Sequence, residues 1–308
     1  MLHTIRLPFT TGAAAPSALR LLLLPVVTLG LVIASLHSGA LSTVSFTAIC
    51  ALAIALFGIP HGTLDVEIAA LRYGLVSGAD RLKIIAAYIA CTAVIAGLWR
   101  VAPEAALCLF LFVSILHFSR DWYGAADPFL SLMVAWALVA TPALTRPAEV
   151  AAIFDMLTGN ANGWIIADLL ACACVPALLG CLTFAFWSFQ NGELQRAIEV
   201  LTCLIATLFL PPLLAFAVFF CGLHSPRHMA DALAETGAIS RPKKRAIIAA
   251  VFLLSAAGGM MLLAGQSQVP VETGIIRSAI ILISILTVPH FTLETIAWRG
   301  EREPKARH

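Results

Sequence analysis

Long apolar stretches separated by short polar connections recur along almost the whole chain. A membrane-spanning helix needs about 20 mostly apolar residues, and nine stretches approach or reach that length. They are residues 18–36, 42–59, 82–101, 104–118, 129–145, 164–187, 197–220, 246–265 and 274–293. The pattern predicts an all-α fold, namely a polytopic integral membrane protein with about eight or nine transmembrane helices.

The composition agrees with a chain that lies mostly in lipid. Of its 308 residues, 60% are hydrophobic and 12% are charged, and the mean hydropathy is +0.95. Soluble domains carry about 25% charged residues, so the composition argues against a soluble enzyme. The net charge of +2 gives no indication of nucleic-acid binding. We expect one membrane domain over residues 1–308, with a short N-terminal tail of about 1–16 and a basic C-terminal tail of about 299–308.

Basic residues concentrate in the 221–245 loop and in the C-terminal tail. Lys and Arg are enriched on the cytoplasmic side of membrane proteins, so both segments are expected there. We expect a multi-pass protein of the inner (plasma) membrane. The first apolar stretch is nearly long enough to span a bilayer, which favours an uncleaved helix over a signal peptide.

Histidines and acids occur together within or at the ends of these apolar stretches. Four of the histidines there are followed by an acid after three or four residues. The pairs are His61 with Asp65, His117 with Asp121, His228 with Asp231, and His290 with Glu294. A fifth histidine, His224, precedes His228 by four residues. Side chains three or four apart on a helix contact one another, so the spacing predicts that each acid orients the histidine before it.

This spacing is typical of carboxylates that support metal-bound imidazoles. An imidazole that binds a metal through one nitrogen usually donates its other N–H to a carboxylate or carbonyl. Charged and unpaired polar groups are costly in lipid, so five such groups at one depth predict an intramembrane metal site. We expect Asp65 to orient His61 as a ligand. Imidazole ligands suit iron, copper, zinc or nickel rather than magnesium or calcium.

Two alternatives concern the same residues. A single buried histidine is more often a hydrogen-bonded structural residue than a ligand. Arg120 and Arg227 can also pair with Asp121 and Asp231, which would make those two acids structural.

The order of the spans raises a geometric problem for a shared site. Strict alternation of nine spans places His61 and His117 at the membrane face opposite His224. Either the segment 147–170 does not cross the membrane, or the helices continue past their histidines. Prolines within two residues of a histidine are expected to kink these helices and free backbone groups. They are Pro60, Pro226 and Pro289.

Aromatic side chains crowd the histidine motifs. They are Phe57, Phe118, Trp122, Phe219, Phe220 and Phe291. They fit a pocket for an apolar or conjugated substrate, although aromatic residues also anchor helices at membrane interfaces. The apolar stretches hold no lysine placed for a retinal Schiff base. The sequence also lacks phosphate-binding glycine loops and a GxSxG nucleophile motif.

The four motifs together resemble those of the Brp/Blh family of integral-membrane β-carotene 15,15′-dioxygenases. They are PHGTLD (60–65), HFSRDW (117–122), LHSPRH (223–228) and VPHFTLE (288–294), and the resemblance covers residues 57–295. It implies a non-haem Fe(2+) cofactor. The implied ligands are His61, His117, His224 and His228, with Asp65 as the nearby carboxylate and His290 as a further site residue. Pro226 departs from the family's pattern and predicts a shifted register that loosens the last two ligands.

The resemblance also implies the reaction. The enzyme would cleave the central double bond of β-carotene with O2 and give two molecules of all-trans retinal, the chromophore of rhodopsins. The implied partners are therefore β-carotene, O2, the lipid bilayer and a rhodopsin that receives retinal. Three other functions stay open: a haem-bearing electron carrier, a divalent-metal transporter, and a di-iron desaturase or hydroxylase. The last needs about eight histidines in HxxxH and HxxHH boxes, and this chain has one HxxxH box.

Overall fold

The computed structural model describes residues 18–75, 77–123 and 127–300. These residues form fourteen α-helices and no strand, which confirms the all-α prediction for the described part of the chain. The helices are α1 (Ala18–His37), α2 (Val44–His61), α3 (Asp65–Arg72), α4 (Gly78–Val101), α5 (Pro103–Ser119), α6 (Pro128–Thr145), α7 (Pro147–Thr158), α8 (Gly163–Cys172), α9 (Cys174–Gln190), α10 (Leu194–Phe209), α11 (Pro212–Phe219), α12 (Ser225–Glu235), α13 (Arg241–Ala264) and α14 (Val271–Gly300). Most of the two predicted tails lies outside the described residues.

Six helical segments are long and apolar enough to cross a membrane, which supports the membrane character of the chain. They are Val44–Arg72, Gly78–Val101, Pro103–Trp122, Pro128–Thr145, Arg241–Ala264 and Val271–Thr295. A seventh span results if α8 and α9, bent by 46° at their junction, are counted as one. The described residues therefore contain six or seven candidate spans, compared with the eight or nine predicted for the whole chain, and the exact count stays a prediction.

The difference comes from apolar stretches that do not form one long helix. The stretch 197–220 is divided because Pro211 and Pro212 cannot donate a backbone N–H, so α10 ends at Phe209 and α11 begins at Pro212. α7 has only 12 residues and ends in a left-handed glycine, Gly159. The segment 147–170 is therefore not a single span, in agreement with the first solution to the alternation problem.

α14 organises the part of the bundle that holds the histidines. It packs against α2, α4, α5 and α13, and a buried hydrogen bond from Trp99 Nε1 to Ser284 Oγ (2.6 Å) joins it to α4. In contrast, α13 has no buried residue and exposes large apolar side chains such as Leu253, Leu254 and Met261. An apolar helix exposed in this way suits contact with lipid.

Candidate metal centre

Five imidazoles from separate parts of the bundle converge in its interior. They belong to His61 at the end of α2, His117 on α5, His224 before α12, His228 on α12 and His290 on α14. In nine of the ten pairs of these rings, the centroids lie between 4.5 Å (His224 to His228) and 6.4 Å (His61 to His117) apart. The structure thus brings together all five histidines that the sequence placed in apolar surroundings.

The candidate ligand nitrogens form two groups of three. One nitrogen each from His61, His117 and His290 lies within 4.8 Å of the others, and so does one each from His117, His224 and His228. His117 belongs to both groups. His290, expected from the sequence as a supporting residue, therefore lies among the candidate ligands.

Asp121 serves two histidines of another motif. Its Oδ2 accepts a hydrogen bond from His224 Nδ1 at 2.7 Å, and its Oδ1 lies 3.6 Å from His228 Nε2. The expected pairing with His117 is wrong. The reason is local, because α5 ends at Ser119 and a 3₁₀ turn follows it. Asp121 therefore does not lie on the helical face of His117.

Glu294 also contacts the histidine of another motif. Its Oε2 accepts from His117 Nδ1 at 3.1 Å and from Arg120 Nη1 at 2.8 Å. The expected pairing with His290 is wrong even though both residues lie on α14. Arg120 pairs with Glu294 rather than with Asp121, so its alternative role as partner of Asp121 is also wrong.

Asp65, like Asp121 and Glu294, contacts the histidine of another motif. Its Oδ2 accepts from His290 Nδ1 at 2.7 Å, so the expected pairing with His61 is wrong. α2 ends at His61 and α3 begins at Asp65, hence the two residues do not share one helix. Gly62 allows this turn to approach α14, because a Cβ there would lie 3.2 Å from Asp65 Oδ2 and 3.3 Å from His290 Nδ1.

Asp231 and Arg227 lie beside the cluster without the partners that the sequence suggested. Within the described part of the chain, the carboxylate that faces His228 is Asp121 rather than Asp231. Arg227 forms its ion pair with Glu199 at 2.5 Å. Neither the support of His228 by Asp231 nor the pairing of Asp231 with Arg227 is observed.

A π-helical turn over Phe220–His224 positions the two histidines of the HxxxH box. In this turn the N–H of Ser225 bonds to the carbonyl of Phe220, five residues back. Pro226 follows in the first turn of α12, where proline is tolerated because its missing N–H needs no helical partner. Both imidazoles stay in the cluster beside this change of register, and the expectation that Pro226 loosens them as ligands stays a prediction.

Several imidazole nitrogens of the five clustered histidines have the lone pairs needed to bind a cation. Ionised carboxylates only accept hydrogen bonds, so His117 and His224 each donate from Nδ1. When both rings are neutral, their Nε2 atoms both carry lone pairs, yet these atoms lie only 3.2 Å apart. His61 Nδ1 and His290 Nε2 are buried without a hydrogen-bond partner among the described residues. Such a set of unpartnered imidazole nitrogens fits a divalent transition metal.

A cavity of about 530 Å³ adjoins the cluster. His61, His117 and His290 form one wall, and the other walls come from α2, α3 (with the carboxylate of Glu67), α4, α5, α11, α13 and α14. Its lining is mostly apolar, as in sites that bind small apolar ligands. The cavity reaches α4 and α13, two helices with large exposed apolar surfaces.

The predicted substrate-binding aromatics divide into two groups. Phe118 and Phe220 line the cavity. The other four do not line it, and their contact with a substrate stays a prediction. Phe57 is 50% exposed, Trp122 and Phe219 stack with ring centroids 6.3 Å apart, and Phe291 lies under the guanidinium of Arg120 at 4.5 Å.

Three aromatic residues that sequence reasoning missed line the cavity instead. Phe110 and Phe216 stand on the same helices as predicted residues, and Tyr88 comes from α4. Phe110 precedes His117 by seven residues, which is two helical turns, and Phe216 precedes Phe220 by one turn. Following the helical period back from each motif, rather than its neighbours in sequence, would have identified Phe110 and Phe216.

Comparisons with known proteins bear on the same region. The family model for beta-carotene 15,15′-dioxygenase matches residues 52–298, which include all five clustered histidines. A protein of an uncultured marine bacterium (66A03), named beta-carotene 15,15′-dioxygenase, is 27% identical over 264 residues, or 81% of this chain and 94% of the relative. No solved structure matches the chain.

Proposed function

Because the chain belongs to the β-carotene 15,15′-dioxygenase family and is therefore an oxygenase, we propose that it cleaves β-carotene at the central double bond. The reaction consumes one O2 and breaks one C=C bond, and each half of the polyene becomes one molecule of all-trans retinal. We further propose a non-haem Fe(2+) cofactor and a location in the inner (plasma) membrane. A rhodopsin is the proposed recipient of the product.

One observation carries the proposed metal centre: the approach of His117 Nε2 and His224 Nε2 to 3.2 Å. Each ring donates its other N–H to a carboxylate, so two lone pairs face each other in an interior where unpaired polar groups are costly. A bound cation would remove this repulsion. The proposed ligands are His61, His117, His224 and His228, and His290 joins them because its Nε2 is buried without a partner among the described residues.

The carboxylates hold the imidazoles in position for this task. Asp121, Glu294 and Asp65 each accept from the Nδ1 of a histidine and fix its neutral tautomer, with Nε2 free. Fe(2+) bound there would supply the activation of O2, which reacts slowly with a closed-shell hydrocarbon.

The cavity provides the second requirement, a place for a hydrocarbon beside the histidines. β-Carotene has no polar group, so burial against apolar walls is its main means of binding. Phe118 and Phe220 line the cavity and also contact the imidazole of His224, with ring centroids 4.8 and 5.2 Å away. They would hold the polyene close to the reacting centre and keep water from it.

Expression in a bacterium that accumulates β-carotene tests the proposal. Wild-type protein is expected to bleach the cells and produce retinal, and His61→Ala is expected to abolish both. His37→Ala is the matched control, because His37 is exposed at the end of α1 and its ring hydrogen-bonds to the carbonyl of Ile33 in the same helix. Chelation of the purified protein should remove activity, and Fe(2+) should restore it.

Two results would contradict the proposal. One is folded, iron-loaded wild-type protein that leaves the cells orange, which would favour a carrier or transporter. The other is a haem spectrum in the purified protein.

A further inference from the structure

A small polar pocket of about 50 Å³ touches the histidine cluster on the side away from the apolar cavity. On α14, the cavity is lined by residues that precede His290, whereas the pocket is lined by His290, Leu293 and Glu294. His61 and His290 border both spaces. We call this pocket the polar port and define it by Asp65, Arg72, Asp231, Glu235 and Glu294, which line it together with the histidines.

Two helices carry polar side chains from the cluster to the outer end of the port. On α12, His228, Asp231 and Glu235 follow one another at intervals of three and four residues and so share one helical face. On α3, Asp65 and Arg72 are seven residues apart and share a face as well. The port therefore leads from the histidines to the last residues of α3 and α12.

An ion pair joins the two helices at that outer end. Arg72 Nη2 donates to Glu235 Oε2 at 2.8 Å, and Arg72 Nε donates to the second carboxylate oxygen. The side chains of Arg72 and Glu235 are 13% and 30% exposed. Both side chains reach the surface of the described bundle, so their two-point contact closes the outer end of the port.

We propose that the polar port is the route by which a divalent metal cation reaches the histidine cluster, with Asp231 as a carboxylate on the way and the Arg72–Glu235 pair as a latch. The proposal rests on the metal centre proposed above. It gives a role to Asp231, which the sequence singled out and which is not the carboxylate that faces His228.

Charge and polarity favour the port over the apolar cavity as this route. A hydrated dication loses far more solvation free energy among hydrocarbon side chains than beside carboxylates. The port is lined by four carboxylates and one arginine, so its lining attracts cations. Its inner end is lined by His290, which is 6% exposed and has an Nε2 without a hydrogen-bond partner among the described residues.

Metal loading of the full chain in detergent tests the route without relying on activity. Protein stripped by a chelator is mixed with Co²⁺, and the visible absorption of imidazole-bound Co²⁺ is followed in time. Asp231→Asn is expected to slow loading about threefold or more, with an unchanged final absorbance at saturating Co²⁺. Asp168→Asn is the matched control, because Asp168 is exposed on α8, away from the port.

Variants of Arg72 test the latch. Arg72→Lys keeps the charge but loses the two-point contact, and Arg72→Gln loses both. Both variants are expected to accelerate loading, as well as release of Co²⁺ to a chelator, at least threefold. Arg146→Gln, which breaks the Arg146–Glu149 ion pair elsewhere in the bundle, is the control and is expected to match wild type.

The outcomes distinguish failure of the proposed route from failure of the proposed metal centre. Wild-type rates in Asp231→Asn and in both Arg72 variants, in folded protein that binds Co²⁺, would overturn the route and leave the centre intact. Wild-type protein that binds no Co²⁺ would overturn the centre and the route together. If Asp231→Asn does not fold, Asp231→Glu keeps the charge and is expected to load at the wild-type rate; slower loading there would contradict the proposal.

Discussion

Replacing Asp121 with asparagine tests the support that one carboxylate gives to two imidazoles. Asp121 accepts from His224 at 2.7 Å and lies 3.6 Å from His228, and its side chain is only 3% exposed. Asparagine keeps the size and one acceptor oxygen but removes the charge. Loss of such a carboxylate lowers metal affinity by about 10–100-fold, which corresponds to about 1.4–2.8 kcal/mol. We expect Asp121→Asn near the upper end of this range, because two proposed ligands lose their partner.

The affinity is measured by competition for Co²⁺ between purified protein and a chelator of known affinity. Asp65→Asn is the informative comparison, since among the described residues Asp65 accepts a hydrogen bond from one histidine, His290. This substitution should lower the metal affinity less, near the tenfold end of the range. Asp168→Asn, on the exposed face of α8, should bind like wild type. Thermal unfolding in detergent establishes that each variant is folded.

A folded Asp121→Asn protein with an affinity within about twofold of wild type would refute the reasoning, since the loss expected for a supporting carboxylate is at least about tenfold. A larger loss in Asp65→Asn than in Asp121→Asn would also refute it, because the ranking follows from the number of imidazoles that each carboxylate contacts.

Two further substitutions probe the cavity and the bundle. Gly258→Phe places a ring at the cavity wall and is expected to reduce β-carotene cleavage at least tenfold with unchanged metal content. Gly97→Phe, on the open face of α4, should leave both the cleavage activity and the metal content unchanged. Equal activities of the two variants would contradict the placement of the substrate in this cavity. Ser284→Ala removes the acceptor of Trp99 Nε1 and should lower the free energy of unfolding by about 1–2 kcal/mol, measured by denaturation in detergent. Thr183→Ala is the control, because the exposed hydroxyl of Thr183 bonds to the Leu179 carbonyl of its own helix, α9. A loss no greater than in that control would contradict the importance of the Trp99–Ser284 bond.

The sequence allowed the class of fold and the convergence of the histidines to be predicted for a physical reason. Polar groups that are costly in lipid are kept only where they meet partners, so histidines in several apolar stretches indicate a common location. The acids near the histidines correctly indicated that carboxylates lie at the site. The spacing did not indicate which carboxylate contacts which histidine. His61 and Asp65 are four residues apart, yet a helix end lies between them. His117 and Asp121 are separated by the end of α5.

His290 and Glu294 show a different limit, since both lie on α14 at helical spacing. Their side chains take other partners because Arg120 and His117 lie closer to Glu294 in the packed bundle. Such a choice depends on how neighbouring helices pack, which no local pattern contains. The predicted division into spans missed one helix break for a related reason. Apolarity alone did not show that Pro211 and Pro212 would break the stretch 197–220, although proline chemistry predicts it.

Asp65, Asp121 and Glu294 each contact a histidine of a different motif, so no single motif can form the centre alone. A designer who transplanted the α5 motif alone into another bundle would bring His117 without Glu294, and α14 alone would bring His290 without Asp65. Substitutions that reshape one motif must therefore be matched on a different helix, and sequence change at these positions is expected to be correlated in pairs that lie far apart along the chain. A minimal copy of this centre needs α2, α3, α5, the 3₁₀ turn Arg120–Trp122 that carries Asp121, the π-helical turn, α12 and α14 in their native arrangement.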